Sequence, residues 1–144
     1  MACALVGACS RAAPDATPDG VVHLWLERME TSTDDPRAAR EAYALLGPAS
    51  RLTLEDRAAR ASRVQGRRVE PYEMLAEGRF GLKFRPKTMA ATVSGDQATV
   101  EVMGSDPAAE HATVHCTRER PGEGWRIEPG LPDITALPRW RDGG

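Results

Sequence analysis

Lysine is almost missing from this chain: among 144 residues only Lys83 and Lys87 occur, so arginine carries nearly all the positive charge. There is no basic excess either, since 19 Lys and Arg face 21 Asp and Glu for a formal net charge of −2. Nucleic-acid binding, which draws on a basic surface to displace counterions, is therefore not expected. Aromatic residues are sparse, at 5% of the chain. No apolar run approaches the roughly 18–20 residues of a membrane-spanning helix. Cysteine is scarce too, and Cys3, Cys9 and Cys116 fall into no CxxC or other ligand spacing, so neither a metal nor a cofactor is expected. Alternation would set His115 and Cys116 on opposite faces of a strand, against shared ligation. Cys116 therefore reads as a small buried residue, the alternative being a reactive thiol near His111 or His115.

What is present is enough for one domain with a single core. Residues 10–17 are small, polar and proline-containing, the composition of a flexible tether. From Thr17 the apolar spacing becomes helical. Thr17 and Pro18 have the types favoured at an N-cap and first helical position, and Val21, Val22, Leu24, Trp25 and Met29 form a buried stripe. Asp35-Pro36 opens a second helix that turns Ala39, Tyr43 and Leu46 inward and stops at Gly47-Pro48. A third helix is predicted from about Leu54 to Gln65, with Thr53 and Asp56 as a capping box. Leu54, Ala58, Ala61 and Val64 line its inner face, Arg57, Arg60, Arg63 and Arg67 another, and Gly66 ends it. Pro71–Leu75 reads as one more helical turn.

Beyond Arg79 the period falls from 3.6 to 2. Phe80, Leu82 and Phe84 alternate with Arg79, Gly81, Lys83 and Arg85. Met89, Ala91 and Val93 continue the inward set. Ser94-Gly95-Asp96 is a hairpin turn, after which Ala98, Val100 and Val102 face in. Ala112, Val114 and Cys116 follow, and Pro121–Gly124 turns into Trp125-Arg126-Ile127. One greasy face and one Thr-rich face predict an antiparallel meander. The fold class is α+β, with three N-terminal helices packed on a curved antiparallel sheet of about four strands. The domain spans residues 18–130, and 131–144 form a tail in which Ile134, Leu137 and Trp140 recur at near-helical spacing.

Two resemblances follow from these residues. Leu5-Val6-Gly7-Ala8-Cys9 resembles the end of a bacterial lipoprotein signal, in which the peptide is cut before the cysteine and its thiol receives a diacylglycerol. Residues 1–9 would then be the signal remnant and Cys9 the lipidated residue. Only eight residues precede Cys9 and none is basic, so a full signal would begin upstream. The other reading is the apolar N-terminus of a cytoplasmic protein. The order of elements, the Ser-Gly-Asp-Gln-Ala-Thr-Val hairpin and the closing Gly-Trp-Arg-Ile strand resemble the NTF2-like (cystatin-type cone) superfamily, in its small lipoprotein-anchored branch. That resemblance implies a sheet wrapped round a helix to leave a cone-shaped pocket.

Enzymatic members of that superfamily place a carboxylate base and a polar partner inside the cone, where burial shifts their pKa. None of the inward strand positions here is a carboxylate or imidazole, so no catalytic residue is assigned. His23, Trp25, Tyr43, Tyr72 and Trp125 are the candidate pocket-lining residues. Residues 51–87 hold ten basic and five acidic side chains, and within them Arg57, Arg60, Arg63 and Arg67 form a candidate anion-facing surface. Thr92, Thr99, Thr113 and Thr117, with Glu101 and His115, offer a polar sheet face for a homodimer. The expected function is a lipid-anchored, periplasm-facing envelope protein whose non-catalytic domain binds a partner or a small apolar ligand. The alternative is a cone-pocket isomerase or hydro-lyase.

Overall fold

The computed structural model describes residues 11–77 and 82–130. Cys9, the alternation through Phe80 and the tail from 131 lie outside the described residues. Four helices, α1 (Pro18–Thr31), α2 (Pro36–Ala44), α3 (Pro48–Gln65) and α4 (Pro71–Glu77), precede four strands, β1 (Thr88–Ser94), β2 (Gln97–Met103), β3 (His111–Thr117) and β4 (Arg126–Glu128). The strands pair antiparallel in the order β1-β2-β3-β4. The molecule is α+β, with its helices N-terminal to the sheet.

Each helix opens on a proline, whose missing N–H costs nothing in a first turn. The Thr17 hydroxyl accepts from Gly20 N at 3.2 Å, and Asp35 Oδ1 accepts from Arg37 N at 2.9 Å. Val21, Val22 and Trp25 of α1 are buried against Ala98, Val100, Val102, Val114, Cys116 and Ile127 of the sheet. Ala38, Ala39, Ala42, Leu46, Leu54 and Leu75 are also buried, which joins the remaining helices to the interior. In the stretch expected to be a tether, Pro14–Ala16 forms a 3-10 turn. The Asp15 carbonyl accepts from Trp125 N at 2.8 Å, and the Asp15 carboxylate pairs with Arg126, also at 2.8 Å.

Five expectations need correction. Gly47-Pro48 starts α3 as well as ending the preceding helix, so α3 begins six residues earlier than predicted. Thr53 is then interior, donating to Ala49 O at 3.1 Å instead of capping. Val64, placed on the inner face, is 88% exposed, because the helix runs past the core before Gly66 ends it. Leu82–Lys87 is irregular rather than a strand; Pro86 offers no donor to a ladder, and pairing starts only with Lys87 N to Met103 O at 2.8 Å. Ala91 and Val93 do not face a core, since the sheet overhangs the helices here and Val93 is 52% exposed.

The hairpin is as tight as predicted. Gly95 takes φ 62°, a positive value that costs a glycine no steric strain, and Ser94 and Gln97 face each other across a two-residue turn.

Candidate functional site

The helical period of α1 sets Leu26, Met29 and Glu30 along one side, facing the irregular segment 82–87. Leu82, Phe84 and Pro86 approach from that segment, and Met89 from the first turn of β1. Between them lie two adjoining hollows of about 460 and 660 Å³ that share Leu26, Glu30 and Pro86. Leu26, Met29, Leu82, Phe84 and Met89 are half-buried and packed on the main core. The floor is therefore greasy, and its two thioethers adapt readily to different shapes.

The walls differ in charge. Asp19, Glu27 and Glu30 stand on the α1 side, with His23 among them. Lys83, Arg85 and Lys87 stand on the other. None of these three cations enters an ion pair among the described residues, unlike most arginines elsewhere in the fold. An apolar trough with open cations along one wall can hold an apolar chain and an anionic head at the same time.

A third hollow, of about 720 Å³, lies between the start of α3 and the turn before β4. Its arginines are engaged in the fold. Arg51 donates to Leu46 O at 2.9 Å and to Ala44 O at 2.6 Å, closing the end of α2. Arg118 donates to Asp96 at 3.0 Å and lies 4.7 Å from the Trp125 ring centroid. Arg126 is held by Asp15. Nearby, Tyr43 donates to Glu55 at 3.2 Å; burial raises its pKa, and the Glu55 carboxylate adds to the rise.

The five pocket candidates do not line one cavity. His23 borders the α1 groove, exposed to solvent. Trp25 and Trp125 are core residues. Tyr43 meets Glu55 and Arg51, while Tyr72 accepts from Arg40 at 3.2 Å beneath its guanidinium. Of the arginine stripe, Arg60 pairs with Asp56 at 2.9 Å and Arg67 with Glu73 at 3.2 Å. The Glu73 pKa is lowered, first by the Glu70 N–H it accepts and then by Arg67. Arg57 is half-buried and Arg63 exposed. On the Thr-rich face, Thr113 donates to Glu101, and His111 Nε2 also meets that carboxylate.

Sequence reasoning did not single out Lys83, Arg85, Lys87, Glu30 or Met29 as a site. Two signals pointed there: Pro86 interrupts the alternation, and both lysines of the chain fall within five residues of each other. Among the described residues no cluster of three or more His, Cys, Asp or Glu has the arrangement of a metal site, and none of their helices is long and apolar enough to cross a membrane. No protein-family model matches this sequence, and no curated protein or solved structure matches it either.

Proposed function

We propose that this domain is a binding module whose groove between α1 and segment 82–87 takes a small amphiphile with an apolar chain and an anionic head. The observation that carries this reading is the union of a half-buried apolar floor with three cations that enter no ion pair among the described residues. Elsewhere the described arginines are largely closed on carboxylates or carbonyls and have a structural reason to be where they are. Among the described residues Lys83, Arg85 and Lys87 have no such partner. The site sits in an envelope-facing protein held by a diacylglycerol on Cys9, a placement supported by the small residues before that cysteine. A cone fold of the NTF2-like kind belongs to the same reading, supported by the order of helices and strands.

Thermal unfolding of the full chain bearing Cys9→Ser, with dodecanoate kept below its micelle concentration, tests the groove. The melting temperature rises with dodecanoate and does not rise with dodecyltrimethylammonium, which has the same chain and the opposite head. Leu26→Asp removes the response, and Lys83→Glu with Lys87→Glu weakens it. Equal responses to both amphiphiles, or none to either, would overturn the assignment. Incorporation of labelled palmitate by the protein expressed from its own gene, lost on Cys9→Ser, tests the anchor separately.

A further inference from the structure

The two edges of the sheet are treated differently by the fold. The β4 edge is covered: Leu46 forms a parallel bridge with Ile127, Gly47 N donates to Ile127 O at 2.8 Å, and Ile127 N donates to Leu45 O at 2.9 Å. The β1 edge has no partner strand among the described residues. Open edges in monomeric proteins are usually blunted by charge, proline or a bulge. β1 reads Thr-Met-Ala-Ala-Thr-Val-Ser, seven residues with no charge, proline or glycine, all exposed except half-buried Met89. Its pairing with β2 is continuous from Thr88 to Ser94, without a bulge.

The register fixes which groups the edge presents. A two-residue turn makes Ser94 and Gln97 a hydrogen-bonded pair, so alternation directs the N–H and C=O of Met89, Ala91 and Val93 away from β2. Such an edge is self-complementary about Ala91. Antiparallel pairing with a second copy sets Ala91 opposite Ala91, and Met89 opposite Val93 in both directions, each pair exchanging two backbone hydrogen bonds. Facing residues share a side of the sheet in this register, as the pleat requires. Ala90 then meets Thr92, and Thr88 meets Ser94, so the contact is small and uncharged throughout.

We propose that β1 pairs with β1 of a second copy, joining two four-stranded sheets into one across a twofold axis through Ala91. The interface is one strand wide, which places the association in the weak, concentration-dependent class. It runs along the strand edge, between Thr92 of the Thr-rich face on one side and Met89 of the α1 groove on the other, and it needs no ligand in that groove.

Sedimentation velocity of the Cys9→Ser chain under reducing conditions, over a wide concentration range, tests the pairing. The expected result is a monomer–dimer equilibrium. Ala91→Lys sets two ammonium groups opposite each other and abolishes the dimer, and Ala91→Glu does the same with two carboxylates. An equimolar mixture of the two variants restores it. Ala91 is exposed, so both variants keep the far-ultraviolet circular dichroism and melting temperature of the wild-type monomer. A wild type that stays monomeric at every concentration, or a dimer indifferent to Ala91→Lys, as pairing through the Thr-rich face would be, overturns the proposal. Neither result bears on dodecanoate binding, which is read from the melting temperature.

Discussion

Cys116 shows how position in the core governs the chemistry of one side chain. It is buried beneath α1, its sulfur 4.0 Å from Pro18 O, and burial pushes the thiol pKa from 9.0 up to about 12. The folded state therefore holds a proton that the unfolded chain releases near 9, and the consequence for stability has a definite sign. Below about pH 9 the preference for the neutral thiol is fully present; from there toward 12 the unfolded state gains by ionising and stability falls. Cys116→Ala lowers stability at neutral pH by leaving a small void, by about 1 kcal/mol. Urea unfolding at stepped pH shows the gap between wild type and variant narrowing as pH rises from about 9 to 11, because only the wild type has this thiol to ionise. A gap constant across that range would mean the thiol titrates alike in both states. In a Cys3→Ser, Cys9→Ser background the native protein should also react with a thiol reagent only as fast as it opens.

At the scale of elements, the start of α3 depends on a residue far along the chain. Its N-cap is Gly47, which has no side chain to accept from the first turn. Glu128 of β4 fills that role from 78 residues away: its carboxylate accepts from Ala49 N at 3.3 Å, from Ser50 N at 3.0 Å and from the Ser50 hydroxyl. Its negative charge also sits at the positive end of the helix dipole. Glu128→Ala should cost about 1–2 kcal/mol in urea unfolding. Gly47→Ala acts through the same contact, since a Cβ there would collide with the Glu128 carboxyl and displace it. The two substitutions should be non-additive, the double variant costing little more than the worse single one. Full additivity would show that Gly47 and Glu128 act independently.

That cap also explains what the sequence could and could not reveal. Thr17-Pro18 and Asp35-Pro36 carry their own acceptor next to the proline, so α1 and α2 are legible locally. Gly47-Pro48 has no local acceptor, and the same dipeptide fits a helix end, so the beginning of α3 was misplaced. β2 and β3 were legible because alternate side chains really are buried. β1 has the same alternation, yet beyond Met89 its inward positions, Ala91 and Val93, lie past the rim of the helical layer, which periodicity cannot show. The candidate groove was legible in its parts alone. Met29 reads as core and Lys83 and Arg85 as the outward half of a strand, while Leu26 and Lys87 fall outside both patterns. Their meeting across α1 depends on Pro86 ending the alternation.

For the whole molecule, the unequal edges of the sheet make the sharpest claim about where stability resides. Ile127 is fully buried, pairs with Cys116 on β3, and is bound through both its N–H and its C=O to the chain between α2 and α3. It is the point at which sheet, α2 and α3 meet. Val93, at the opposite edge, has the same kind of side chain but lies half in water and faces no helix. Ile127→Ala should therefore cost about 2–5 kcal/mol, the transfer term plus a void that three elements cannot close together. Val93→Ala should stay within about 0.5 kcal/mol of wild type, below the concentrations at which copies associate. Urea unfolding of both variants, with unchanged slopes against denaturant, checks the comparison. Comparable losses at the two positions would mean the β1 edge is as closely packed as the β4 edge, leaving no open strand for a second copy to join.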